Sequence, residues 1–435
     1  MMTENELRRF LEKTASLGSV LGMETITRLC EILGNPQDYG KIIHIAGTNG
    51  KGSTGTLLEQ ALMAMGYKVG RYTSPAVFYD EEIIKVQNKP IEKAELARIM
   101  TEVKEACDCM VLKGYHHPTE FEVETAAAFL YFKEKQCDYT LMEVGMGGES
   151  DATNVIKEPL ISVITSISMD HMQFLGDTIE EIAAKKAGII KEGCPCVALK
   201  QERSVNQVIK NHGKGKDLLY FADSLDYPIK GMTLESLTLN DKEYGDFTLH
   251  MTGSFQRENF AVAMTTLKVL QKTGELSLDE HIDKIKEAWR HTVWSGRFEC
   301  ICRKPLCIID GCHNPGAAKE LSKTLKNLFE GYHIHFVIGV LKDKDYHGIF
   351  SRVLPLGEDA FCVTPKSARG MNATQLKTVA NDYLQEVTAC DSCEEAVDLA
   401  MKKCKGANHM VLAFGSLSYL GEVKAYVNGI CEQTD

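Results

Sequence analysis

No stretch of the 435 residues approaches the run of about 18 uninterrupted apolar residues that a membrane-crossing helix needs. The amino terminus, MMTENELRRFLEK, reads as a polar amphipathic helix without the apolar block of a signal peptide, so a cytoplasmic protein is expected. Positive charge is also short: 49 Lys and Arg stand against 60 Asp and Glu, a formal net charge of −11. A duplex binder needs a concentrated positive face to displace counterions, so this balance argues against a nucleic-acid partner and leaves only a local basic groove open. Internal repeats and long low-complexity segments are absent. The 15 cysteines do not form a metal-binding pattern either. Cys107/Cys109, Cys194/Cys196, Cys300/Cys302 and Cys390/Cys393 are close pairs, but a structural zinc site wants two such pairs joined by a short connector, and these lie far apart. Reduced core thiols, rather than zinc ligands or disulfides, are the expectation.

What is present is ordinary globular composition, 44% hydrophobic and 25% charged, on a chain too long for one core, so two domains are expected. KIIHIAG, from Lys41, is a short apolar run ending in glycine, and Leu57, Leu58, Ala61, Leu62 and Met65 then recur at helical spacing. Apolar runs near 139, 160 and 194 read as buried strands separated by helices at 119–136 and 178–191. Strands alternating with helices imply an α/β fold with a parallel sheet covered on both faces. Between about 216 and 253 the period changes to two, which predicts a small antiparallel ribbon attached to this first domain, closed by the helix of ENFAVAMTTLKVLQKTG. The segment WRHTVWSGRFECICRKP leads into a fresh series. It predicts strands at LCIIDG, HIHFVIGVL, AFCVTP and HMVLAFGS, with helices at 315–329, 373–386, 392–404 and 417–430. The boundary is set near 296, giving domains 1–295 and 296–435, the second a smaller α/β unit.

The stretch GTNGKGS, from Gly47, sits in the strand-to-helix turn where backbone N–H groups can meet a phosphate and the helix N-terminus adds a favourable dipole. It departs from the common G-x-x-x-x-G-K-[ST] loop, because Lys51 is followed by Gly52 and the hydroxyl arrives at Ser53. Lys51 would bring a point charge and Ser53 a hydroxyl for Mg²⁺. Glu143 ends a buried strand, where a carboxylate needs a partner or a cation. A salt-bridged strand end is the alternative. Spacing alone gives His171 no more than a satisfied loop histidine, and Lys185 and Lys186 a solvated helix face. Asp310 and His313, in DGCHNP, end a strand and open a helix through Pro315, at the edge where open α/β sheets bind ligands.

Gly47-Thr48-Asn49-Gly50-Lys51-Gly52-Ser53 resembles the nucleotide loop of the Mur-ligase superfamily, in its folylpolyglutamate synthase and dihydrofolate synthase branch. The resemblance continues in order through YTSP at 72, TEFEVET at 119, MEVGMGGESDATNVI from 142 and MDHMQFLG from 169. It goes on through AKKAGIIK from 184, GSFQRENFAVA from 253, SGRFE from 295, DGCHNPGA from 310 and FGSLSYL from 414. It implies a P-loop, Mur-ligase-like parallel-sheet domain and a smaller Rossmann-like C-terminal domain. It further implies that Thr48, Asn49, Gly50, Lys51, Gly52 and Ser53 hold the ATP phosphates, and that Gln256 and Asn259 hold the adenine. Arg297, Asp310 and His313 would reach the nucleotide from the second domain. Ser53, Glu143 and His171 would ligate Mg²⁺, with Lys186, carbamylated, on a second Mg²⁺. Ser74, Pro75, Glu122, Asp151 and Asn154 would line the acyl-substrate site.

The implied reaction is ATP-dependent addition of L-glutamate to the γ-carboxylate of folate through an acyl phosphate. Lys51, Lys186, Arg297 and His313 are the implied catalytic groups, and domain closure would keep water from the intermediate. ATP, Mg²⁺, L-glutamate and a folate are the implied ligands, K⁺ is a further cation the family allows, and a monomer is the implied state. Two departures bear on the acyl substrate. SPAVFYDEEII carries Glu82-Ile83-Ile84 where relatives commonly read Glu-Arg-Ile, and Glu149 stands where many carry arginine, both making the site more acidic. Dihydrofolate synthase or a bifunctional enzyme stays open beside polyglutamylation. A cell-wall Mur ligase fits less well, since no UDP-binding domain precedes the loop. A P-loop switch should carry G-x-x-x-x-G-K-[ST] and, for guanine, N-K-x-D, and both are missing.

Overall fold

The structure is a computed structural model that describes residues 2–16, 18, 22–213 and 216–431. Contacts divide the chain into two units. One holds Met1–Ile167, Met172–Asp226 and Glu258–Ala288, the other Ser168–His171, Tyr227–Arg257 and Trp289–Asp435.

In the first unit, β1 (Lys41–Ala46), β2 (Val69–Tyr72), β3 (Ile84–Val86), β4 (Lys89–Pro90), β5 (Tyr139–Glu143), β6 (Ile161–Ile164), β7 (Cys196–Leu199) and β8 (Leu219–Ala222) form one sheet. Its order is β4-β3-β2-β5-β1-β6-β7-β8, and only β3 and β4 pair antiparallel. After Lys41 every residue of β1 is buried, which is why the strand reads as an apolar run broken only by His44: a central parallel strand is covered on both faces. Helices Glu24–Ile32, Lys93–Leu112 and Glu120–Glu134 pack Leu29, Ile99, Val103, Ala127 and Phe132 into one core with Tyr72 and Met142 of the sheet.

The expected ribbon is real but shorter: β9 (Ile229–Met232), β10 (Leu237–Asp241) and β11 (Gly245–Leu249) form an antiparallel sheet whose inner side chains alternate through Leu237, Leu239, Phe247 and Leu249. One expectation fails here. The segment at 219–222 is not ribbon but β8, parallel to β7. By contacts the ribbon groups with the second unit: Phe247 packs on Trp289, with rings 5.5 Å apart, and Leu234 and Phe255 join that unit's core.

The second unit's main sheet runs β12-β13-β17-β14-β15-β16, from β12 (Glu299–Arg303), β13 (Leu306–Asp310), β14 (His333–Ile338), β15 (Asp359–Cys362), β16 (Glu386–Ala389) and β17 (His409–Phe414). Only the β12–β13 pair is antiparallel. Alternate residues feed two cores: Ile308, Phe336 and Leu412 meet the helices Pro315–Leu328 and Tyr346–Val353, while Ile309, Val337 and Val411 meet Cys393–Lys403 and Leu417–Cys431. The helix expected over 373–386 stops at Ala380, and residues 386–389 are β16. Tyr383 and Leu384 continue the apolar spacing, but their amides close turn bonds on the Ala380 carbonyl and the chain leaves the helix there.

The expectation of reduced thiols throughout is also overturned. Cys302 and Cys431 form a disulfide, with Cα atoms 6.6 Å apart, linking the end of the last helix to β12. The partners are 129 residues apart in sequence, so only the fold brings them together. Among the described residues no helix is long and apolar enough to cross a membrane.

Candidate active site

The glycine loop connects the end of β1 to the helix Lys51–Ala64. Gly50 caps that helix at φ 88°, a left-handed conformation that glycine takes without strain. A Cβ there would overlap the Asn259 side-chain oxygen, and one at Gly47 would overlap the Thr165 hydroxyl. The cradle is therefore walled by side chains at both ends and has room only for bare backbone. The Thr48 amide donates to the Ser166 carbonyl at 2.7 Å and the Thr165 hydroxyl to the Asn49 carbonyl at 2.7 Å, which ties the loop to the segment after β6.

Two ammonium groups meet at one acceptor. Lys51 Nζ donates to the Gly47 carbonyl at 3.2 Å and Lys186 Nζ to the same oxygen at 2.9 Å, while Lys51 stands 3.9 Å from Glu143 at the end of β5. Lys186 is only 4% exposed, on the last turn of the helix Ile179–Ala187. Its neighbour Lys185 points outward and pairs with Glu149 at 2.7 Å, so the two adjacent lysines divide cleanly into an inner and an outer one. Ser53 is buried in the first helical turn.

The residues expected at the acyl-substrate site behave differently. Glu122 is engaged in a capping box at the start of the helix Glu120–Glu134, accepting from the Thr119 amide at 2.8 Å and hydroxyl at 2.9 Å. Asp151 is buried and accepts from the Met146 amide at 2.8 Å, the Thr153 amide at 3.0 Å and the Thr153 hydroxyl at 2.6 Å. Burial pushes its carboxyl pKa up, against those donors. Asn154 spends its NH₂ on the Glu149 carbonyl at 2.9 Å and the Gly188 carbonyl at 3.3 Å. Glu122, Asp151 and the Asn154 NH₂ thus bond to the chain itself. Ser74 and Pro75, joined by a cis peptide, enter the loop that precedes β3. In that loop Glu82 accepts from the Val77 and Phe78 amides and Glu81 faces Lys93 at 3.7 Å.

In the second unit Asp310, at the end of β13, accepts from the Phe298 amide at 2.9 Å and the Cys312 amide at 2.9 Å, and burial pushes its carboxyl up. Arg297 lies against Gly311, where a Cβ would overlap its guanidinium, and donates to the Gly296 carbonyl at 3.3 Å. His313 donates from Nδ1 to the Gly311 carbonyl at 2.8 Å, which turns Nε2 toward Asp170, 3.5 Å away. Asp170 also takes the Lys344 ammonium at 2.6 Å and the Asn314 amide group at 3.2 Å, and Lys344 stands 3.4 Å from His171 Nε2. Burial alone would raise the Asp170 pKa. The His313 hydrogen bond and the charges of His313, Lys344 and His171 outweigh it and hold the carboxyl far below the usual range. Gln256 is fully buried at the start of the helix Gln256–Lys272, whose first two residues group with this unit while Asn259 groups with the first.

Residues 45–267 match the Mur ligase middle domain, and residues 296–417 the Mur ligase glutamate ligase domain. The chain is 31% identical over 429 residues to the dihydrofolate synthase/folylpolyglutamate synthase of Bacillus subtilis, covering 96% of this chain and 98% of that one. This chain belongs to the folylpolyglutamate synthase/dihydrofolate synthase family. It is 35% identical to the folylpolyglutamate synthase of Lacticaseibacillus casei over 86% of this chain and 87% of that one. Among solved structures, Escherichia coli FolC in complex with DHPP and ADP superposes with a TM-score of 0.83 at 29% identity, covering 99% and 98% of the two chains.

For a member of this family the donor set of the first unit suits Mg²⁺: a serine hydroxyl and a strand-end carboxylate are hard oxygen ligands. Among the described residues no three His, Cys, Asp or Glu side chains gather as a cage of their own. Reading the motifs missed three groups. Thr165, which fixes Asn49, lies outside the quoted motifs. Asp170 sits inside MDHMQFLG but is overshadowed by His171, and Lys344, in LKDKD, looks like an ordinary surface charge.

Proposed function

We propose that the chain is an ATP-dependent, ADP-forming amide ligase that joins L-glutamate to the γ-carboxylate of a folate. The observation that carries this is the meeting of Lys51 and the buried Lys186 at the Gly47 carbonyl beside Glu143, on a glycine cradle with no room for a Cβ. The acceptor carboxylate attacks the γ-phosphorus of ATP, ADP leaves, and an acyl phosphate forms. The glutamate amine then attacks the acyl carbon, and inorganic phosphate leaves with the amide made. Lys51 neutralises phosphate charge and the loop amides orient it, which offsets the repulsion between a carboxylate and a polyphosphate. Ser53 and Glu143 hold Mg²⁺, which supplies Lewis-acid neutralisation of the phosphates when bound. The same reading assigns His171 and a carbamylated Lys186 to Mg²⁺, gives K⁺ a place as a further cation, and uses Arg297, Asp310 and His313 on the nucleotide. It divides the chain into an ATP-binding part to residue 295 and a glutamate-ligase part from 296, acting as a cytoplasmic monomer.

Polyglutamylation of a tetrahydrofolate is the favoured activity. A second, bifunctional reading rests on the Bacillus subtilis relative, which is named for both activities. The experiment is glutamate-dependent ADP release from ATP and Mg²⁺, with tetrahydrofolate monoglutamate and dihydropteroate as alternative acceptors. Release with the first alone supports a polyglutamate synthase and release with both a bifunctional enzyme, whereas release with neither rejects the folate reading.

A further inference from the structure

Behind the phosphate loop, β2 contributes an arginine that no motif singles out. The Arg71 side chain is 3% exposed, and Nη2 donates to the Gly52 carbonyl at 2.7 Å. Nη1 donates to the Thr56 hydroxyl at 2.6 Å and to the fully buried Glu59 carboxylate at 3.0 Å. The Thr56 hydroxyl passes its own proton to the same Gly52 carbonyl at 2.8 Å. Gly55 leaves the space this needs, since a Cβ there would stand 3.3 Å from the guanidinium. Across the β2–β3 pair, burial and then the Arg71 charge lower the Lys85 pKa.

Stability is a weak reason for this arrangement. A buried Arg–Glu pair loses hydration on both partners, and replacing such a pair with apolar groups is often neutral or stabilising. The contact with Gly52 is different in kind. A peptide unit is planar, so holding the Gly52 oxygen also sets the direction of the Ser53 amide in the first helical turn, where N–H groups point at a bound anion.

We infer that Arg71 is a positioning residue for nucleotide binding, acting through the Gly52–Ser53 peptide so that the Ser53 amide and hydroxyl are preset for the phosphates. The inference rests on the nucleotide reading of the loop. It gives Glu59 the task of balancing the arginine's buried charge and Thr56 that of bridging guanidinium and carbonyl.

The test compares the full-length chain with Arg71→Leu/Glu59→Leu, Arg71→Lys and Thr56→Val by thermal melting, ADP binding calorimetry, and kcat and KM for ATP. Removing both buried charges should leave the melting temperature close to wild type while ADP affinity falls and KM for ATP rises about tenfold. Arg71→Lys, able to bond Gly52 but without the fork, should recover part of that loss. Thr56→Val should weaken ADP binding in the same direction by a smaller factor. A double variant with wild-type stability and wild-type ADP affinity overturns the inference, and so does Thr56→Val with unchanged ADP affinity if the double variant does not fold. A wild-type chain that binds ADP yet releases none in the presence of glutamate and folate sinks the ligase reading and leaves the role of Arg71 intact.

Discussion

The glycine loop at residues 47–53 and the turn at 146–154 both match motifs of the family, yet they use their polar groups in opposite ways. At the loop, the ammonium groups of Lys51 and Lys186 converge on one carbonyl, and backbone forms the cradle. At the turn, Asp151 and Asn154 point back at the chain and hold its amides and carbonyls. On the proposed function the first region meets the nucleotide, while the bonds seen at the second hold the turn's shape. Whether a motif residue touches a ligand or holds the chain is therefore a question for variants at both regions.

The sharpest test of the contrast is Lys51→Ala. Glutamate-dependent ADP release should fall by about 10²–10³-fold or more, with the melting temperature nearly unchanged, because a charge aimed at the transition state is removed without opening the core. A large drop in stability with activity retained would reverse the roles of the two regions. Asp151→Ala should do the opposite. It strands the Met146 and Thr153 donors and should cost about 3 kcal/mol, read as a lower melting temperature whether or not acceptor is present. An unshifted melt with only the acceptor KM raised would mean that the carboxylate meets substrate after all.

The turn also carries a pH signature. Its Thr153 hydroxyl donates to Asp151, so it accepts from His44 Nε2, 2.8 Å away on β1. Burial, with a smaller push from Lys191, lowers the His44 pKa to about 3. An unfolded histidine titrates near 6.5, so below that pH the unfolded chain binds a proton that the folded chain refuses, and stability falls as pH drops toward the folded value. By pH 5 this one residue should cost about 2 kcal/mol. His44→Gln should remove that part of the pH dependence, read as a smaller shift in melting temperature between pH 7.5 and pH 5. A slope identical to wild type would separate His44 from the turn.

What the sequence made legible follows the same division. The strand–loop–helix at 41–64 is readable because its chemistry is local: apolar run, glycines, lysine and hydroxyl lie within a few residues. Most helices and central strands are likewise set by short-range periodicity. Features that depend on distant partners stay hidden. The Cys302–Cys431 bond, the grouping of the ribbon with Trp289, and the clamp of Lys344 and His313 on Asp170 each join segments far apart in the chain. Lys185 and Lys186 show the limit most plainly, since only packing decides which of two adjacent lysines turns inward. Glu122 is the opposite case. Thr119-x-x-Glu122 is the sequence pattern of a capping box, so its structural use was available from local signals alone.

That capping box supplies the smallest of the expected effects and a clean discriminator. Glu122 is buried, and burial raises its pKa against the pull of its bonds to Thr119. Glu122→Ala removes the reciprocal bond to the Thr119 amide but leaves the threonine hydroxyl facing the helix start, so the loss should be about 1 kcal/mol. Glu122→Gln keeps an acceptor for the same amide and should recover most of it. Neither change should move KM for the folate acceptor at a temperature where both variants are folded. An acceptor KM raised by Glu122→Ala and restored by neither glutamine nor lower temperature would place this carboxylate in the substrate site, and the contrast between loop and turn would then be confined to Asp151 and Asn154.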